Sequence, residues 1–174
     1  MAKDFLNVIE RALMMGVSDG INTLTASGED VYVYGEFPET ENLKFPAIIV
    51  EHTGSGFEEQ FMGQKVTLGS SSGTGETYGA SYTLHIICQK ETTLQIGSSN
   101  FSTSDAYYKQ RRLLNWLMLN TANTIMDLNW DTYDEDTTQI LERHLNAWQN
   151  IGYIPDLQWY GASADFLITF TNIR

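Results

Sequence analysis

Between Asp127 and Thr138 the sequence reads DLNWDTYDEDTT, which puts Asp127, Asn129 and Asp131 at the first three oxygen-ligand positions of an EF-hand calcium loop. Such a loop also needs a glycine at the sharp turn and a bidentate glutamate at its close. Thr132 and Thr138 occupy those two places, so the stretch reads as an acidic, solvated turn. The segment from Gly69 to Thr77, GSSSGTGET, is similar to a phosphate-binding loop, but the lysine that reaches the phosphates is replaced by Glu76, whose charge repels them. No helix start follows it to hold an anion.

The remaining candidates for chemistry are few. His52, His85 and His144 lack the short spacing of a zinc site and any HExxH pattern. Cys88, the single cysteine, lies in the strand-like run YTLHIICQ and reads as an inert buried thiol. The letters GxSxG occur twice, at Gly16 to Gly20 (GVSDG) within the first helical segment and at Gly69 to Gly73 (GSSSG) in the glycine- and serine-rich stretch, and neither lies at the strand-to-helix turn of a nucleophile elbow; a Ser, His and Asp set drawn from distant positions leaves a small intracellular hydrolase as an alternative. The four tryptophans and nine tyrosines could form a ligand platform, but most fall in periodic elements where aromatic residues build core. The expectation is no catalytic residue, no cofactor and no metal.

The elements that would position any site are organised around Ser104 to Leu128, SDAYYKQRRLLNWLMLNTANTIMDL. Ser104 is a good N-cap and Asp105 places negative charge where the helix dipole favours it. At helical spacing Tyr107, Leu114, Leu117, Met118, Thr121, Ile125 and Leu128 share one stripe, opposite Lys109, Arg112, Asn120, Asn123 and Asp127. A second strip, Tyr108, Leu119, Ala122 and Met126, widens the apolar arc and predicts a second partner. That partner is either a further segment of the same chain or a neighbouring subunit.

Before this helix, Asp4 to Met15 has Leu6, Ile9, Ala12 and Leu13 on one helical face, and the helix can run towards Leu24 despite Gly16 and Gly20, each costing up to about 1 kcal/mol relative to alanine. VYVYGEF, ending at Pro38, and FPAIIVEH, led in by Pro46, read as strands. Residues 54–79, rich in glycine and serine yet containing FEEQF and KVTL, predict a projecting hairpin arm with its tip at Ser70 to Gly75, with a flexible loop as the alternative. YTLHIICQ is the clearest strand, with Tyr82, Leu84, Ile86 and Cys88 on one face. Beyond the central helix, Ile140, Leu141, Leu145 and Trp148 predict a short third helix, and DLQWYGASADFLITFTNIR predicts two strands joined at Gly161 to Ser163. The order implies one α+β domain over residues 1–174: a mainly antiparallel sheet of about five strands packed by two or three helices.

Composition narrows the role. The chain has 174 residues, long enough to bury a core without staples. Its 10 Lys plus Arg against 22 Asp plus Glu give a formal net charge of −12, which argues against tight nucleic-acid wrapping and suits passage of DNA without grip. No run reaches the roughly 18 apolar residues of a membrane span, and the N-terminus lacks the pattern of a signal peptide. An intracellular protein without a membrane partner is expected.

The order of elements resembles the tail terminators and related neck proteins of tailed bacteriophages. The resemblance is carried by the N-terminal helix, the Phe45-Pro46-Ala47-Ile48-Ile49-Val50 strand, the arm, the Tyr82-Thr83-Leu84-His85-Ile86-Ile87 strand, the Ser104 to Leu128 helix and the strand near the C-terminus. It covers most of the chain and no short motif. It implies a structural virion protein assembled in the host cytoplasm, a homo-oligomeric ring, commonly a hexamer, that caps the tail tube and joins it to the head connector. DNA passes through the lumen without sequence-specific binding, and there is no enzymatic activity. Another neck or tail-tube component is the nearest alternative; a hydrolase or a ligand-binding domain is the alternative of a different class. The candidate assembly interface is Phe57, Phe61, Met62, Tyr108, Leu119 and Met126.

Overall fold

A computed structural model describes residues 5–26, 30–59, 65–68, 71–89, 92–96, 99–102, 107–129 and 138–173. Helix α1 spans Phe5–Asn22, and helix α2 spans Tyr107–Asp127. The strands are β1 (Tyr32–Tyr34), β2 (Ala47–Glu59), β3 (Lys65–Leu68), β4 (Ser71–Gln89), β5 (Thr93–Ile96), β6 (Ser99–Ser102), β7 (Thr138–Leu145), β8 (Gln149–Ile154) and β9 (Trp159–Ile173). The fold is α+β, as the order of elements predicted.

Among the described residues one sheet has seven strands in the order β1-β2-β4-β9-β7, with β3 joined to β4 and β8 to β9. Only β1 and β2 run parallel. The strand β4 is the spine, because it pairs with β9 from Gly75↔Ile173 to Gln89↔Trp159 on one edge and with β2 on the other. Alternate residues of β4, from Tyr78 and Ala80 through Tyr82, Leu84, Ile86 and Cys88, join Phe166, Ile168 and Phe170 of β9 and Ile48 and Val50 of β2 in the core. This is the period-two pattern of a sheet with one face packed.

Both helices cover that face. From α1 come Ile9, Ala12, Leu13, Val17 and Ile21, and from α2 Leu113, Leu114, Leu117, Thr121 and Ile125, all buried. Gly16 and Gly20 are contact points between the helices: a Cβ at Gly16 would lie 2.1 Å from Leu128 Cδ1, and one at Gly20 2.4 Å from Thr124 Cγ2. Because rising numbers on α1 meet falling numbers on α2, the helices run antiparallel. At its end α1 is tied to the sheet through Asn22, whose Oδ1 accepts from Val31 N at 2.7 Å and whose Nδ2 donates to Val31 O at 3.2 Å.

Several expectations are corrected. Residues 138–145 form strand β7, not a third helix, and Trp148 lies in the short break before β8. The cause is a β-bulge between Ile140 and Glu142. In a regular strand Ile140 and Leu145 would face opposite ways; the extra residue, Leu141, restores both to the core side, opposite Phe170 and Phe166. Leu141, Leu145 and Trp148 stand at i, i+4 and i+7, a helical spacing that arises here only because Leu141 is the bulge residue. The final strand is also continuous through residues 161–163. The turn lies earlier, at residues 155–158, where Gln158 has φ 55° and donates from N to Pro155 O at 3.3 Å.

The sheet has more strands than the expected five, and Ser71 to Gly75 belong to β4 instead of a loop tip. The β5–β6 hairpin, absent from the expected order of elements, precedes α2 and carries the buried Leu94. The N-cap Ser104 and most of the acidic turn after Asn129 lie outside the described residues.

Candidate assembly surface

The arm is built by extending the sheet. Pairing of β2 with β4 continues to Glu59↔Thr77, and pairing of β4 with β9 stops at Gly75↔Ile173. Beyond that step, β3 and the first residues of β4 pair with each other, from Lys65↔Thr74 to Leu68↔Ser71. Among the described residues only the β3–β4 hairpin extends past the neighbouring strands, so the described projecting part is shorter than residues 54–79. Phe57 falls on β2 opposite Tyr78, while Phe61 and Met62 lie outside the described residues.

The second strip of α2 is open. Leu119 is 61% exposed and Met126 45% exposed, whereas Ala122 between them is half-buried. Tyr108 lies in the first turn of the same helix. Strand β7, where a third helix was expected, lies within the sheet, and Leu119 stays exposed. Arg111 and Arg112 are exposed on the same helix. Thus the structure brings Leu119 and Met126 together on one surface and leaves Phe57 on a different element.

At its C-terminus α2 is closed by Arg143 of β7. Its Nη1 bonds the carbonyls of Ile125, at 3.3 Å, and Met126, and its Nη2 donates to Leu128 O at 2.8 Å. A helix end leaves its last carbonyls short of intrahelical donors; Ile125 O also accepts from Leu128 N at 3.5 Å, and a cation there opposes the helix dipole's negative end. Burial lowers the Arg143 pKa from its ordinary value, while Asp127 pulls it the other way.

The sheet face away from the helices buries Ala47, Ile49 and Ile87 at one end and is polar across its middle. A lane across β2, β4 and β9 carries Glu51, Thr83 and Asp165 in register. His85 Nε2 lies 3.2 Å from Glu51 Oε2, and Thr83 Oγ1 donates to Asp165 Oδ1 at 3.0 Å. One end of this face is covered by residues 35–46, which bring Phe37 onto His85 at 4.9 Å between ring centres and Phe45 onto Trp159 at 5.5 Å. Towards the β7 edge, Ser81, Asp165, Glu142 and His144 are exposed.

Two exposed aliphatic residues on that edge lie outside the candidate surface expected from the sequence. Leu141 and Ile151 are the extra residues at the bulges of β7 and β8, and are 48% and 51% exposed. Bulges at a free edge disrupt the ladder and oppose pairing with another strand. Their signal was hidden because the segment's spacing reads as helical.

At the end of the sheet a groove of about 720 Å³ is lined by Tyr32, Phe45 and Trp159 with Lys44 and Asp156. Lys44 Nζ stands 5.3 Å from the centre of the Tyr32 ring. Cys88 is fully buried and its thiol is pushed up to about 12 by desolvation, which removes the thiolate needed for nucleophilic work. Among the described residues no group of three or more His, Cys, Asp and Glu side chains is placed to hold a metal, and no helix is long and apolar enough to cross a membrane. No protein-family model and no curated protein matches this chain.

Proposed function

We propose that this chain is a structural virion protein of a tailed bacteriophage: a tail terminator that closes into a homo-oligomeric ring, commonly a hexamer, caps the tail tube and joins it to the head connector. The observation that carries the reading is the step at Gly75↔Ile173, beyond which β4 and β3 continue as a hairpin that, among the described residues, pairs only with itself. A hairpin that extends a sheet past its neighbours contributes little to its own domain's core and is well placed to reach a neighbouring subunit. The exposed Leu119 and Met126 on the central helix support the same role, and the net charge of −12 suits a lumen through which DNA passes without being held. Localisation in the virion, the absence of enzymatic activity and partnership with tube and connector proteins follow from this proposal. Another neck or tail-tube component would use the same features.

Replacing residues 63–74 with a short turn tests the reading. The expected result is a domain that keeps its cooperative unfolding transition but loses oligomers. Loss of folding would make the hairpin part of the core and remove the main support. A ligand-binding domain is favoured by one observation, the aromatic groove beside Lys44 and Asp156. In that case Trp159→Ala would abolish small-molecule binding and leave assembly unaffected.

A further inference from the structure

The two faces of the domain are unlike and complementary. The outward side of α2 carries Leu119 and Met126 with Arg111 and Arg112, all exposed. The uncovered sheet face carries Glu51, Asp165 and Glu142 among small residues such as Ser81 and Ser163, and none of its described positions is a lysine or arginine. Leu167, half-buried, and Ile151, packed over Gly161, supply apolar contact on the same face. Residues 35–46 already cover the end of this face that holds Ala47, Ile49 and Ile87; the open part, around Ser81, Thr83, Ser163 and Asp165, is of the kind a helix completes, and here the helix bearing exposed apolar area lies on the opposite side of the same chain.

We infer that the outward strip of α2 in one copy packs across the open sheet face of a second copy, in a head-to-tail contact. This inference rests on the ring reading and names the surfaces it would use. A contact between two different patches is heterologous, and repeated by rotation it closes into a ring. Its charge complementarity, Arg111 and Arg112 against Glu51, Asp165 and Glu142, fixes the order of the two faces. The strip is not a site for another strand, because it is a helix face. The bulged edge at Leu141 and Ile151 is shielded from strand addition as well.

The dimensions are compatible. A helix of 21 residues is about 30 Å long, and four strands spaced about 4.8 Å apart present a field about 15 Å wide. Their overlap is on the order of 450 Å² per partner, against about 800 Å² for a standard interface, so the projecting hairpin must supply the rest.

Two variants test the pairing. One has Leu119→Glu with Met126→Glu, and the other has Asp165→Lys with Glu142→Lys; all four positions are exposed, so folding is checked by circular dichroism and is expected to be retained. Light scattering should show the wild type as a closed oligomer and each variant alone as a monomer. An equimolar mixture should give a dimer and nothing larger, because each variant keeps one intact face. An oligomer that survives either pair of changes would overturn this contact while leaving the ring reading in place. Disruption by the helix-face changes alone would instead mean a symmetric helix-to-helix contact, and would overturn it too. A wild-type protein that stays monomeric at every concentration would overturn both readings.

Discussion

Arg143 Nη2 donates to Leu128 O at 2.8 Å, so a side chain from a strand near the C-terminus closes the central helix. Arg143 reaches this position because the bulge at Leu141 turns it to the core side, opposite Ile168. Arg143→Met keeps most of the side-chain stem and removes every donor. It should cost about 2 kcal/mol, in the range for hydrogen bonds to charged groups, seen as a lower urea midpoint with an unchanged slope. Arg143→Lys should recover part of the loss, since an ammonium lacks the planar fork. No change with Met would mean that water serves those carbonyls equally well.

Gly20 and Thr124 form the tightest described contact between the helices whose partner cannot swing away. Gly20→Ala gains up to about 1 kcal/mol of helix propensity but overpacks against a β-branched side chain, at about 1–3 kcal/mol. The net result should be a loss of stability. Adding Thr124→Ala should restore more than the sum of the single changes predicts, in a double-mutant cycle by chemical denaturation. Gly16→Ala should be milder, because its nearest neighbour is the mobile end of Leu128.

These glycines show where the sequence was legible and where it was not. Burial of Leu114, Leu117, Thr121, Ile125 and Leu128, and of Tyr82, Leu84, Ile86 and Cys88, follows the helical and alternating spacings. Gly16 and Gly20 read only as a propensity penalty, since their purpose depends on a helix more than a hundred positions away. The β7 strand was misread because its bulge changes the period locally, which no spacing rule detects without its partner strand. The pair Leu119 and Met126 was legible from the width of the apolar arc. The closure of α2 by Arg143 was not, because it joins two elements whose register only the sheet defines.

Tyr82 is 1% exposed and its hydroxyl has no hydrogen-bond partner in the structure. Burial, with a smaller contribution from Glu10, raises its pKa. Tyr82→Phe removes an unsatisfied polar group at constant shape and should leave stability equal or raise it by about 1 kcal/mol. A clear loss in thermal denaturation would show that the hydroxyl is satisfied in solution.

The pH dependence of stability follows from Cys88 and Tyr82. Burial raises the Cys88 thiol from 9.0 to about 12, so at alkaline pH the unfolded chain releases this proton while the folded chain keeps it. The stabilisation is therefore complete below about pH 9 and declines as pH rises towards 12; Tyr82 adds to the fall from its ordinary value of 10.0 upward. Equilibrium unfolding between pH 7 and 11 should show this decline, and Cys88 should resist thiol reagents until the protein unfolds. Rapid labelling of the native protein would contradict the burial.

The most direct test of the proposed role is the mass and shape of the purified protein, by light scattering with negative-stain imaging across a concentration series. The expected result is a closed ring with an open centre, of one defined stoichiometry. A single-subunit particle at every concentration would contradict it.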